Sequence, residues 1–430
     1  MKKVLYLVYY YPPLGGSGVQ RGVKFSKYLP EFGWESLILT PHPRLVKHPK
    51  DPSLLADVRP EQKIFRCFTL DAHWLYKVFW GLRLPRAVTW LMFHVFRPDA
   101  EILWLPFAWR KLKQVVRKEK PDLLFISGPP FSPMLLGKWC KDKYQIPYIV
   151  SFRDDWSQGQ SRLDNPPPAS FSRLEKRLEH SVLASAAHTV VVNKAYKRDF
   201  IALYPDLDDS RFSVITNGYD ESDFMSCHSQ RNHEIDKLQI VHPGVLFGRR
   251  HPGIIWQAIC NLAARAEIDP NKLRIHIYGR NFASFVFKGF EHNEIIREIV
   301  HLHPYLPHAE TIKLICEADI LLLFSGPGAK SDAELPGKLF EYLRAGKPIL
   351  GIVHPEGVCA EILLKAKSGV VASQEDLHQI EMQIKDLYQQ WTQGKLGINP
   401  DWEYIRQFER QALTSRLAEV FDKVVEKHEA

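Results

Sequence analysis

Nowhere in the 430 residues do apolar side chains run uninterrupted for the roughly 20 positions that a bilayer-spanning helix requires, so a chain that crosses a membrane is not expected. Cysteine is sparse: Cys67, Cys140, Cys227, Cys260, Cys316 and Cys359 form no Cys-x-x-Cys pair and have no histidine at zinc-ligand spacing. A structural metal is therefore not expected, and a reducing, cytoplasmic compartment is. Met1-Lys2-Lys3 and a short apolar run lead into Pro12-Pro13-Leu14-Gly15-Gly16, with no small-residue cleavage pattern, so the start reads as a buried first strand and not a signal peptide. Fixed-period repeats and low-complexity tracts are also missing, which excludes a solenoid.

What is present is a globular composition, 45% hydrophobic and 25% charged, long enough for two domains. The net charge of +8 is unevenly spread. Residues 1–220 hold 33 Lys and Arg against 21 Asp and Glu, and residues 221–430 hold 24 against 28. The first half is expected to meet something anionic.

Short apolar or β-branched runs alternate with helical stretches at 4–9, 36–40, 123–127, 148–152, 189–192 and 212–216. They resume at 238–241, 274–278, 320–324, 348–353 and 369–372. This α/β alternation predicts parallel sheets, and the polar stretch 220–237 between the two series predicts two of them, with a ligand cleft between. Residues 401–430 place Ile405, Phe408, Leu413, Leu417, Phe421 and Val424 at helical spacing, predicting closing helices.

After the first strand, Gly15-Gly16-Ser17-Gly18 precedes an amphipathic helix, where glycines let amides approach an anion or simply pack strand on helix. The dinucleotide fingerprint is broken, because Arg21 stands where its last glycine would be and no acidic residue ends the second strand. Further along, Glu334-Leu335-Pro336-Gly337-Lys338-Leu339-Phe340-Glu341 opens a helix that stops at Gly346. Free amides there, with Lys338 beside them and Glu341 a turn further on, suit a nucleoside diphosphate and its ribose.

With Ser151-Phe152-Arg153-Asp154-Asp155-Trp156, Ile215-Thr216-Asn217-Gly218-Tyr219-Asp220, 244–252 and Ala318-Asp319-Ile320, these segments resemble the family 4 retaining glycosyltransferases, notably bacterial surface-polysaccharide members, over nearly the whole chain. The resemblance implies a GT-B fold, two facing Rossmann-like domains at 1–220 (acceptor) and 221–400 (donor), with 401–430 packing back towards the first. It implies sugar transfer from a nucleotide-diphosphate sugar, a uridine diphosphate sugar being the family-weighted choice, to a lipid-linked or saccharide acceptor. Anomeric configuration would be retained, and no metal or other cofactor would be needed.

The candidate site residues are Gly16, Gly18, Arg250, Gly337, Lys338, Leu339 and Glu341 for the donor, Arg153 and Asp155 for the acceptor, and Asp154 and Glu334 for catalysis. Two departures stand out: Ala333 occupies the usual first-glutamate position, displacing that role to Glu334, and Val245 replaces a pyrophosphate-binding arginine, leaving Lys338 to supply the charge. Helix capping competes with an acceptor role at Asp154 and Asp155. No catalytic histidine follows strand 123–127, which continues Gly128-Pro129-Pro130.

Between 73 and 117, Trp74, Tyr76, Phe79, Trp80, Trp90, Phe93, Phe96, Trp104, Phe107 and Trp109 interleave with Lys77, Arg83, Arg86, Arg97, Arg110, Lys111, Lys113 and Arg117. That pattern fits peripheral docking on an anionic inner leaflet or an aromatic core beneath a basic helix. A nucleic-acid partner is not expected, because no RNA-binding signature accompanies it. A nucleotide-sugar epimerase and a non-catalytic GT-B scaffold remain the competing functions.

Overall fold

A computed structural model describes residues 1–429 except 72–76, 80, 83, 85–89, 92–95, 226 and 228–235. The chain divides into two compact units, Met1–Asn217 with Arg410–Ala430, and Gly218–Glu409.

The first unit is built on a seven-stranded parallel sheet: β1 (Lys2–Val8), β2 (Trp34–Pro41), β3 (Lys63–Cys67), β4 (Leu123–Gly128), β5 (Tyr148–Phe152), β6 (His188–Val191) and β7 (Phe212–Val214). Their order is β3-β2-β1-β4-β5-β6-β7. The central strands are near-continuous apolar runs because both faces are covered. Alternate residues feed separate cores: Leu5, Leu7, Leu37 and Ile126 enter one, Val4, Tyr6, Ile38 and Phe125 the other. The returning segment, the last helix of the chain, closes the second of these with Leu413, Leu417, Phe421 and Val424.

The second unit holds a six-stranded parallel sheet of β8 (Leu238–Pro243), β9 (Leu273–Tyr278), β10 (Val300–His303), β11 (Ile320–Phe324), β12 (Ile349–Ile352) and β13 (Gly369–Ala372), in the order β10-β9-β8-β11-β12-β13. Both sheets therefore reverse strand order once, between β1 and β4 and between β8 and β11, and such switch points are where open α/β sheets leave room for ligands beyond the strand ends.

Six helices matter below: α1 (Ser17–Tyr28), α2 (Leu105–Glu119), α3 (Gly253–Ala264), α4 (His308–Glu317), α5 (Lys338–Ala345) and α6 (Arg410–Glu429). Helix α5 is capped by Gly337 before it and Gly346 after it, whose φ of 65° supplies the left-handed stop, and it buries Leu339, Phe340, Tyr342 and Leu343.

The basic-aromatic stretch is divided. Trp104 and Phe96 are core residues and serve the interior and not a bilayer surface, whereas Trp109 is half-buried and packs edge-on against the exposed Trp139 at 6.0 Å. Trp90 is exposed, whereas Trp74, Tyr76, Trp80, Arg83, Arg86 and Phe93 lie outside the described residues.

Candidate functional site

At the switch of the second unit, the loop after β8 meets the start of α5. His242, at the end of β8, is fully enclosed, and its Nδ1 lies 2.8 Å from the Leu322 carbonyl. That acceptor fixes the proton on Nδ1 and leaves Nε2 as a lone pair, 3.4 Å from the Lys338 amine. Gly244 explains how the amine fits: a Cβ there would overlap Lys338 Nζ. Burial pushes the Lys338 amine down to about 7, reinforced by the Arg250 charge and opposed by Glu341 and Glu334. Burial and Lys338 likewise hold His242 well below the usual imidazole range.

Arg250 lies over the Phe247 ring at 5.5 Å and pairs with Glu334, both side chains half-open to solvent. Glu334 is thus tied to the donor-side arginine, next to the buried Ala333. Arg249, by contrast, donates to the Pro327 carbonyl and braces the loop after β11. Glu341 Oε1 lies 3.0 Å from His308 Nε2 at the head of α4, and His308 Nδ1 lies 4.0 Å from Asp223. No side chain caps α5, Lys338 carries its charge into the first turn, and Leu339 turns into the core with its amide donating to Pro336 at 3.1 Å. Just beyond the strand ends, Ser325 Oγ, His354 Nδ1 and Gln374 Oε1 are buried and without partners among the described residues. Polar atoms left so are costly, and a polar ligand would satisfy them.

The first unit repeats the theme with arginine. Gly16 enters α1 at φ 95°, and neither a side-chain cap nor an acidic residue occupies that helix start. Gly18 lets α1 lie close to Arg153: a Cβ there would overlap the guanidinium. Arg153, just past β5, donates from Nε to the Gly128 carbonyl at 3.2 Å and from a terminal nitrogen to Pro129, spanning the switch between β4 and α1. Burial lowers its pKa, opposed by the carboxylate of Asp154. Asp154 is exposed, whereas Asp155 is 8% exposed and sits beneath the surface. Arg21 is buried and holds the Ile215 carbonyl at 2.9 Å and that of Thr216.

The sequence reading thus brings Arg250, Glu334, Gly337, Lys338 and Glu341 to one switch, and Gly16, Gly18 and Arg153 to the other. It missed His242 and His308, whose partners lie 96 and 33 positions away. Their only local signal is a histidine beside Pro243-Gly244 and beside Pro307, at the ends of a strand and a loop.

Comparison with known proteins finds a family likeness over the first unit only. Residues 17–223 match the profile of Glycosyltransferase Family 4. Among solved structures the whole fold is shared. Sucrose-phosphate synthase from Thermosynechococcus elongatus superposes with a TM-score of 0.64 at 11% identity, covering 99% of this chain and 100% of that one. A glycosyltransferase from Rickettsia africae follows at 0.62 and 14% identity, with 99% and 98% covered. UDP-GlcNAc 2-epimerase from Neisseria meningitidis, bound to UDP-GlcNAc, superposes at 0.51 and 12% identity, with 98% and 100% covered. Two Rossmann-like domains of the GT-B type are therefore the fold of this chain. A search of the curated proteins finds no match.

Proposed function

We propose that the protein is a glycosyltransferase that moves a sugar from a nucleotide-diphosphate sugar to a lipid-linked or saccharide acceptor, with retention of configuration, in bacterial surface-polysaccharide synthesis. The observation that carries the donor half is the pair of basic side chains at the second switch: the half-buried Lys338 at the uncapped start of α5, beside Arg250. A departing diphosphate is stabilised by positioned positive charge and amide dipoles more than by a strong base, and this site offers both. Gly337, Lys338, the first turn at Leu339 and Arg250 take the diphosphate, Glu341 the ribose, and Gly16 and Gly18 a further donor contact. Glu334 acts at the sugar when Arg250 exchanges its carboxylate for phosphate. Arg153 and Asp155 serve the acceptor, with Asp154 orienting its hydroxyl. The reaction uses no metal, so chelation leaves it unchanged. The UDP-GlcNAc in the epimerase neighbour favours a uridine donor.

Peripheral docking on an anionic inner leaflet is supported by Phe68, Leu70, Val78, Leu82, Leu84 and Trp90, which are large, apolar and exposed within one basic stretch. Among the described residues no helix is long and apolar enough to cross a membrane.

The test incubates the full chain with nucleotide sugars, with and without membrane extracts as acceptor, and follows the nucleoside diphosphate and the sugar. Acceptor-dependent release with a labelled glycoside product supports transfer. Inversion within the nucleotide sugar, with no acceptor, is the epimerase outcome and would replace this reading.

A further inference from the structure

The Lys338 amine has an unusual neighbour. Among the described residues its hydrogen-bond partner is the Nε2 lone pair of His242, and that lone pair is guaranteed by the Leu322 carbonyl on the opposite ring nitrogen. The other charges around the amine arrive from three directions: Arg250 from the loop after β8, Glu334 from the loop after β11, and Glu341 from within α5. His242 itself senses Lys338 and Arg250. Gly244 keeps the space between strand end and amine free of side-chain atoms.

Resting on the donor-site reading above, we propose that His242 is a positioning residue for the donor diphosphate: its fixed Nε2 lone pair holds one hydrogen-bonding direction of Lys338, aims the amine at the diphosphate, and supports the proton that the amine takes from solvent as the ligand binds. The balance is simple: one proton moves from water to Nζ, no covalent bond to the ligand forms, and the imidazole stays neutral and on the same tautomer. An ammonium next to a diphosphate is favoured, whereas a half-buried ammonium beside the Arg250 charge and without an anion is less so, so binding and protonation drive each other. The sign follows. Lys338 holds its proton in both states below about pH 7, so affinity is flat there. Above that the free protein has lost the proton while the complex keeps it, so affinity falls as pH rises, by up to about tenfold per unit.

The experiment is calorimetry of the full chain with UDP between pH 6.5 and 8.5, in buffers of different ionisation enthalpy. Lys338 in the wild type is expected to take up close to one proton per UDP at pH 8.5 and about a quarter of one at pH 6.5. In His242→Phe the amine loses its acceptor, so the fall in affinity starts at lower pH and UDP binds about tenfold more weakly at pH 8. His242→Gln, which keeps an accepting oxygen, moves the profile back towards wild type. The Leu322 carbonyl retains the Tyr342 hydroxyl at 3.4 Å, so the fold is expected to tolerate the change. Nitrogen NMR of histidine in the wild-type chain gives a second readout that does not depend on a variant: a ring protonated at Nδ1 whose Nε2 signal moves on UDP addition. A His242→Phe profile that superimposes on wild type, or a ring protonated at Nε2, overturns the role of His242 while leaving the donor site intact. Failure of UDP and every other nucleoside diphosphate to bind overturns the donor site and this inference together.

Discussion

Lys338 is half-buried, pairs with His242, and has its amine lowered to about 7 by burial and the Arg250 charge. Removing its charge should separate binding from folding. Lys338→Met is expected to weaken UDP binding by about 1–3 kcal/mol, the usual worth of a charge-assisted contact. Folding stability should hold or rise, because a buried charge without a bound anion is a cost. The pH dependence is specific. Between about 7, where the folded amine loses its proton, and the ordinary lysine range, the unfolded chain binds more protons than the folded one. Lys338 therefore adds stability as pH rises through that window. Chemical denaturation of wild type and Lys338→Met from pH 6.5 to 9 should show their difference shrinking with pH; a constant difference contradicts an amine that holds its proton less tightly in the folded chain.

At the scale of elements, close approach of α1 to its sheet depends on glycine. Gly18→Val would press into the Arg153 guanidinium, and overpacking of this kind costs about 1–3 kcal/mol. Displacing Arg153 from the Gly128 and Pro129 carbonyls should lower transfer to acceptor more than UDP affinity, which a comparison of acceptor KM with UDP titration would show. In α6, Phe421 is fully buried, 5.3 Å from the Trp34 ring and 5.2 Å from Phe125, so Phe421→Ala should cost about 3–5 kcal/mol in denaturant titration. The central strands and α5 were legible in the sequence because both-face burial writes continuous apolar runs, and because Gly337 and Gly346 bracket the helix. Strands β3 and β10 were not: each lies at a sheet edge, only partly buried, and Lys63–Cys67 and Val300–His303 mix charge or histidine with apolar residues. Residues such as Arg250, Lys338 and Arg153 were legible because glycine and charge sat together locally. The His242–Lys338 and His308–Glu341 contacts depend on strand order, which no local pattern encodes.

For the whole molecule, two units with separate parallel sheets each present a basic side chain at the point where strand order reverses, Arg153 in one and Lys338 in the other. The basic balance of residues 1–220 and the exposed apolar side chains between Phe68 and Trp90 belong to the first unit. Co-sedimentation with vesicles containing anionic lipid should be strong at low salt and decline as ionic strength shortens the Debye length from about 30 Å at 0.01 M to about 10 Å at 0.1 M. Absence of binding at low salt would remove the membrane role without touching the donor site. The central claim, that the second unit is a nucleoside-diphosphate site, is tested most directly by titrating the full chain with UDP, other nucleoside diphosphates and their sugars while following thermal unfolding. Ligand that binds the folded state alone raises the midpoint, by about 2.7 kcal/mol of added stability at a hundredfold excess over Kd. A rise with at least one nucleoside diphosphate, strongly reduced in Lys338→Met, is the predicted result; an unchanged midpoint across the panel, or an equal rise in the variant, would contradict it.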